Sequence, residues 1–182
     1  MSLRSLLGLK TPNEDIALAL YGAIVAQARR AYFYRELKVP DTMEGRYDMI
    51  IMHAFLLFHR LKSENEEVGV LGQSVFDIMF KDLDQSLREM GVGDMGIGPR
   101  IKKMASSFYG RVTAYDKALE NEDDEELKQV IGRNLFNKLE PEVLVLEHIG
   151  TYMRLNVAHL NEIETSAFLR GNISFLSPEN TP

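Results

Sequence analysis

Phe76, Phe80, Leu83, Leu87 and Met90 follow one another at intervals of four, three, four and three residues. Side chains three and four positions apart share a helical face, so this rhythm predicts one unbroken apolar stripe along a helix. Ile101, Met104, Phe108, Val112, Tyr115 and Leu119 make a second stripe, and Leu146, Ile149, Met153, Val157, Leu160 and Ala167 a third. No useful length of sequence alternates polar and apolar residues as a half-buried strand would. The 182 residues suffice for one domain with a sizeable core, and the 45% hydrophobic content is that of an ordinary globular protein. The expectation is an all-α fold: a single helical domain of about six helices over residues 12–171, with a flexible segment 1–11 before it and a disordered tail, 172–182, after it.

Local signals set the expected boundaries. Thr11-Pro12-Asn13-Glu14 reads as a capping box with proline at the first helical position, so a helix should run from about Pro12 to Leu37 and end at Val39-Pro40. Asp41 or Thr42 can cap a second helix from Met43 to Lys62, with Gly45 a weak point near its start. A third begins within "SENEEVG" and continues to Met90, where Gly91 supplies a left-handed stop. Pro99 opens a fourth. The acidic run Asn121 to Glu126 suits the start of a fifth, where negative charge favours the helix dipole. Pro141 begins a long last helix that Gly171 stops.

Composition excludes several chemistries. With no cysteine, disulfides, zinc–thiolate sites, iron–sulfur ligation and thiol catalysis are absent. A net charge of -6 argues against a nucleic-acid partner, which needs a basic face. The most apolar run, Ile16 to Ala28, is too short to cross a bilayer, and the N-terminus lacks a signal-peptide core. The expected location is cytoplasmic, with peripheral membrane contact left open. The histidines His53, His59, His148 and His159 form no His-Glu-x-x-His and no paired Glu-x-x-His motif, so no metal site and no cofactor are expected. His148, Tyr152, Leu155 and His159 fall on one helical face, which keeps a haem carrier as an alternative. Met49, Met52, Met79, Met90, Met95, Met104 and Met153 sit on apolar faces, as core filling or as a yielding surface for an unfolded client.

Gly91, Gly93 and Gly96 spell Gly-x-Gly-x-x-Gly, but the dinucleotide fingerprint needs a strand before the loop, and here a helix precedes it. The segment reads instead as a tight link between antiparallel helices. Backbone N–H groups near Arg100, Lys102 and Lys103 leave anion binding as a second use.

"VPDTMEGRYDM" (Val39 to Met49) and "QSVFDIMFKDLDQSLREMGVGDMGIGPRIKKMASSFYGR" (Gln73 to Arg111) resemble the ubiquinol–cytochrome c chaperone family, over roughly Thr11 to Arg111. The resemblance implies a non-catalytic assembly factor that binds newly made cytochrome b and promotes assembly of ubiquinol–cytochrome c reductase, with a small helper protein as a further partner in mitochondria. The chain begins almost at the family domain, as expected of a bacterial member. Candidate client- and partner-binding residues are Asp77, Asp82, Asp84, Arg88, Glu89, Asp94, Arg100, Lys103, Phe108, Tyr109 and Arg111. Asp41, Thr42, Gly45, Arg46, Tyr47 and Asp48 form a second motif, and Gly91, Gly93, Gly96 and Gly98 the loop. Folding the hairpin about Asp94 sets Arg111 level with Asp77, so a partly buried Arg111–Asp77 pair is expected, with Gly110 allowing close helix approach. A small helical enzyme for an isoprenoid or phosphate ligand, using Asp82 and Asp84, is the other alternative. Lys81-Asp82-Leu83-Asp84 lacks the Asp-Asp-x-x-Asp spacing that such chemistry favours.

Overall fold

A computed structural model describes residues 12–62, 64, 66–121, 123–137 and 139–181. Its helices are α1 (Pro12–Ala28), α2 (Ala31–Arg35), α3 (Met43–Leu61), α4 (Glu66–Glu89), α5 (Asp94–Glu120), α6 (Asp124–Ile131), α7 (Val143–Glu162) and α8 (Thr165–Phe168). A π-helical turn, Gly132–Phe136, continues α6, and a 3-10 turn covers Pro178–Asn180. Among the described residues there is no strand, and six helices have eight residues or more, as expected.

α3 is the central element. Every residue from Met49 to Leu57 is buried, and α3 packs against α1, α4, α5, α7 and the π turn. A helix enclosed on all sides must be apolar all round. The amphipathic α4 lays Val68, Leu71, Val75, Met79, Leu83 and Leu87 on its neighbours and turns its charged side outward. Gly91 takes φ +80, the left-handed stop expected after α4. Thr42 caps α3 by accepting from the Gly45 N–H at 3.1 Å, and Asp123 caps α6 through the Glu125 N–H at 2.9 Å.

Several boundaries differ from expectation, each for a tertiary reason. The first helix breaks at Arg29–Arg30 instead of reaching Leu37. The break turns Phe33 into the core, edge-on to His53 and Tyr152, and the Tyr34 hydroxyl donates to the freed Ala28 carbonyl at 2.6 Å. α5 starts at Asp94, with Gly93 as its cap, so Pro99 lies inside the helix rather than opening it. The carbonyl that Pro99 cannot bond belongs to Met95, which is 95% exposed and open to water. The last helix starts at Val143 and stops at Glu162, because Arg60 donates to the carbonyls of Leu160 (3.0 Å) and Ile163 (3.1 Å) and sits over the Phe168 ring. Gly171 then makes a left-handed turn after α8.

Residues 172–181, expected to be disordered, return along α7 and dock. The Leu176 N–H donates to Asn156 at 2.9 Å, its carbonyl accepts from Gln27 at 2.7 Å, and Glu179 pairs with Arg30. The capping box at Thr11 and the segment 1–11 lie outside the described residues.

Candidate functional site

Two sequence blocks meet where α3 crosses the α4–α5 hairpin. Tyr47 and Asp48 occupy the first turns of α3, and Arg111 lies midway along α5. The Arg111 guanidinium donates to the Asp48 carboxylate. The two side chains are only 22% and 13% exposed, and removal from water is the largest influence on Asp48, pushing its carboxyl up to about 6 against the pull of Arg111. From the adjacent position the Tyr47 hydroxyl donates to the Met104 carbonyl at 3.3 Å, two turns before Arg111 on α5. Burial raises Tyr47 to about 12 and keeps it a neutral donor.

The expected Arg111–Asp77 pair does not form. Asp77 is exposed and accepts from Gln73 on its own helix at 2.8 Å. Arg111 points across the hairpin to α3 because the carboxylate there is desolvated and gains most from a cation. Gly110 is not a point of close approach either, since a Cβ there would meet nothing within 4 Å. The close approach is at Gly45, read from sequence as a weak point. A Cβ at Gly45 would lie 2.0 Å from the Pro40 carbonyl oxygen, so the chain entering α3 presses directly on its first turn.

The remaining candidates divide by burial. Phe108 is 3% exposed and packs with Phe58, Phe76 and Phe80, so it is a core residue, whereas its neighbour Tyr109 is 59% exposed. Asp82 accepts from the Tyr21 hydroxyl of α1 at 2.7 Å. Asp84 accepts from Arg88 at 2.7 Å, and Arg88 also holds Asp94 across the loop. Glu89 accepts from Gln85, and Asp41 from Arg46 at 2.6 Å. With Asp82 and Asp84 committed to separate partners, the two do not converge on a common ligand. Among the described residues no group of three or more acidic or histidine side chains could hold a metal ion.

The glycine loop caps the hairpin with an open hollow of about 710 Å³, lined by Met90 to Gly96 and Arg100. Gly91, Gly93 and Gly98 have space around them, and a Cβ at Gly96 would meet Val92. Lys103 is exposed outside the hollow. Of the methionines singled out, Met49, Met52, Met79 and Met153 are fully buried, whereas Met90 and Met95 stand in solvent at the tip. His148 and His159 share the face of α7 that the returning tail covers, and His53 and His59 lie on α3. His148 meets the Pro178 carbonyl and His159 the Ser174 carbonyl, so both hold the returning tail, and His59 pairs with Asp116.

Sequence reasoning missed Asp48 as the partner of Arg111, Gly45 as a contact point, and the Tyr21–Asp82 bond. The last joins residues 61 apart. A tyrosine within an apolar run and a carboxylate beside an apolar stripe were visible signals, but not their pairing.

Known proteins place this architecture. The family model described as "Ubiquinol-cytochrome C chaperone" matches residues 35–175. The chain is 24% identical over 160 residues to human ubiquinol-cytochrome c reductase complex assembly factor 1, covering 87% of this chain and 53% of that protein. It is 27% identical over 151 residues to Protein CBP3, mitochondrial, of Saccharomyces cerevisiae, covering 81% and 45%. It thus spans about half the length of these two relatives. The crystal structure of the Cbp3 homolog from Brucella abortus superposes with a TM-score of 0.85 at 42% identity, covering 94% of both chains. The matched span takes in α3, both hairpin helices and the Asp48–Arg111 pair that joins them: this chain belongs to the ubiquinol–cytochrome c chaperone family.

Proposed function

We propose that the protein is a non-catalytic assembly chaperone for ubiquinol–cytochrome c reductase, and that its client is newly made cytochrome b. The family match over residues 35–175 carries this reading. The geometry supports a binding role. The α4–α5 hairpin offers Met90, Met95 and Tyr109 to solvent, bordered by Arg88, Arg100 and Lys103, on a frame braced by packed aromatic rings, Phe76 against the buried Phe108. Flexible apolar side chains with a charged rim suit a partly folded apolar client. No helix among the described residues is long and apolar enough to cross a membrane, so contact with a membrane-embedded client would be peripheral. A small helper protein is a further proposed partner.

The test is affinity capture of the tagged protein from its own membranes with peptide identification. Cytochrome b should be enriched. Met95→Asp with Tyr109→Ala should lose it while melting like the parent, because both side chains are exposed. Capture of cytochrome b unchanged by that double substitution would move the client site off the hairpin. Absence of cytochrome b from the parent's captured proteins would overturn the client assignment.

A further inference from the structure

A second concave site lies away from the hairpin tip, where α1 breaks and α3 begins. It is a cleft of about 340 Å³ lined by Arg29, Ala31, Tyr34, Arg35, Asp41 and Arg46. Three guanidinium groups face one carboxylate, a local balance of +2 (three minus one) in a chain of net charge -6. The carboxylate is already committed, because Asp41 accepts from Arg46 Nε. That bond leaves the terminal nitrogens of Arg46 available, and no carboxylate among the described residues pairs with Arg29 or Arg35. Like charges gathered in a concavity repel unless an anion offsets them.

The walls are set in advance. Lys38 takes φ 55, a left-handed conformation uncommon outside glycine, and its ammonium donates to the Arg35 carbonyl at 2.6 Å. Pro40 presses on Gly45, which fixes the angle at which α3 leaves the loop. Arg35 and Arg46 are therefore held on opposite sides of one short, constrained connection.

We propose that this cleft binds a phosphate group, as a free phosphate ester or as the headgroup of a phospholipid. Guanidinium pairs with phosphate oxygens through two parallel N–H bonds, and three such groups suit a tetrahedral anion better than a single carboxylate. The site is independent of the client reading and stands if that reading fails.

The probes are glycerol phosphate at constant ionic strength and vesicles of phosphatidylcholine with or without phosphatidylglycerol. Arg29→Gln with Arg35→Gln removes two charges without breaking a described ion pair. Arg133→Gln with Arg170→Gln removes the same charge elsewhere, at exposed positions. Glycerol phosphate should raise the melting temperature of the parent, and the first double variant should bind at least about tenfold more weakly while the second binds normally. Capture on phosphatidylglycerol vesicles alone, lost only in the first variant, assigns the phosphate to a lipid headgroup. No binding of either probe, or equal loss in both variants, overturns the proposal. So does binding of an acidic peptide in place of both phosphate probes.

Discussion

Arg111 of α5 donates to Asp48 of α3 across 63 residues of sequence, and so ties the two segments that carry the family resemblance. Breaking one member of a largely desolvated pair strands the other charge. A double-mutant cycle of Asp48→Ala with Arg111→Ala at pH 7.5 should give a coupling of about 1–3 kcal/mol. The same cycle with Asp77→Ala should give a value near zero.

Asp48 also makes a stability term that depends on pH. Its carboxyl sits at about 6 in the fold, chiefly through desolvation, against about 3.9 in an unfolded chain. The native state then binds the extra proton between those values. Its contribution is complete below the unfolded value and is lost as pH rises through about 6, on the order of 3 kcal/mol in all. Urea unfolding at pH 4, 5.5 and 7 should show the parent losing this margin relative to Asp48→Asn. A constant difference between the two proteins across that range would contradict the assignment.

Gly45 and Gly110 should respond in opposite ways. Gly45→Ala drives a Cβ into the Pro40 backbone and should cost about 3 kcal/mol, the upper part of the range for overpacking. Gly110→Ala meets open space on an exposed helix face and should stabilise by up to about 1 kcal/mol. Thermal melts of the two variants suffice, and similar melting temperatures would argue against the contact at Pro40.

Gly91 tests the hairpin tip. At φ +80 a β-branched side chain is strained, so Gly91→Val should destabilise by about 1–2 kcal/mol. Gly93, with φ -63, has no such restriction, but it is the N-cap of α5, where alanine is disfavoured, so Gly93→Ala should cost about 0.5 kcal/mol, less than Gly91→Val.

His53 titrates with the opposite sign to Asp48. The Met49 carbonyl takes its Nδ1–H at 2.8 Å, so Nε2 accepts from the Tyr152 hydroxyl at 2.9 Å. Tyr152 accepts from Gln27, which also donates to the docked tail at Leu176. Burial lowers His53 to about 4, against about 6.5 when unfolded. Its contribution is present above pH 6.5 and is lost as pH falls through about 4, on the order of 3 kcal/mol. The parent should therefore become more acid-sensitive than His53→Gln between pH 6.5 and 4. If acid unfolding of the two runs in parallel, His53 is not held neutral by the fold.

The helical character of the chain was legible from sequence because it depends on local rules. The period of the stripe Phe76 to Met90, the cap at Thr42, the stop at Gly91 and the acidic start of α6 each involve residues within a turn or two of one another. The family resemblance was legible for a similar reason, since its two blocks are contiguous runs. Only the tertiary structure decided which residues of those blocks meet. Arg111 takes Asp48 rather than Asp77 because α3 runs through the centre of the bundle and carries a desolvated carboxylate to it. The first helix breaks at Arg30 because Phe33 gains more from the core than the helix gains from continuity, and the tail docks because Gln27 and Asn156 are buried and need partners. Arg29 and Arg35 carry no sequence signal and Arg46 was read only as part of a motif; the three form a cleft only because that break turns the chain back on itself. Burial sets all of these outcomes, and burial is a property of the assembled bundle.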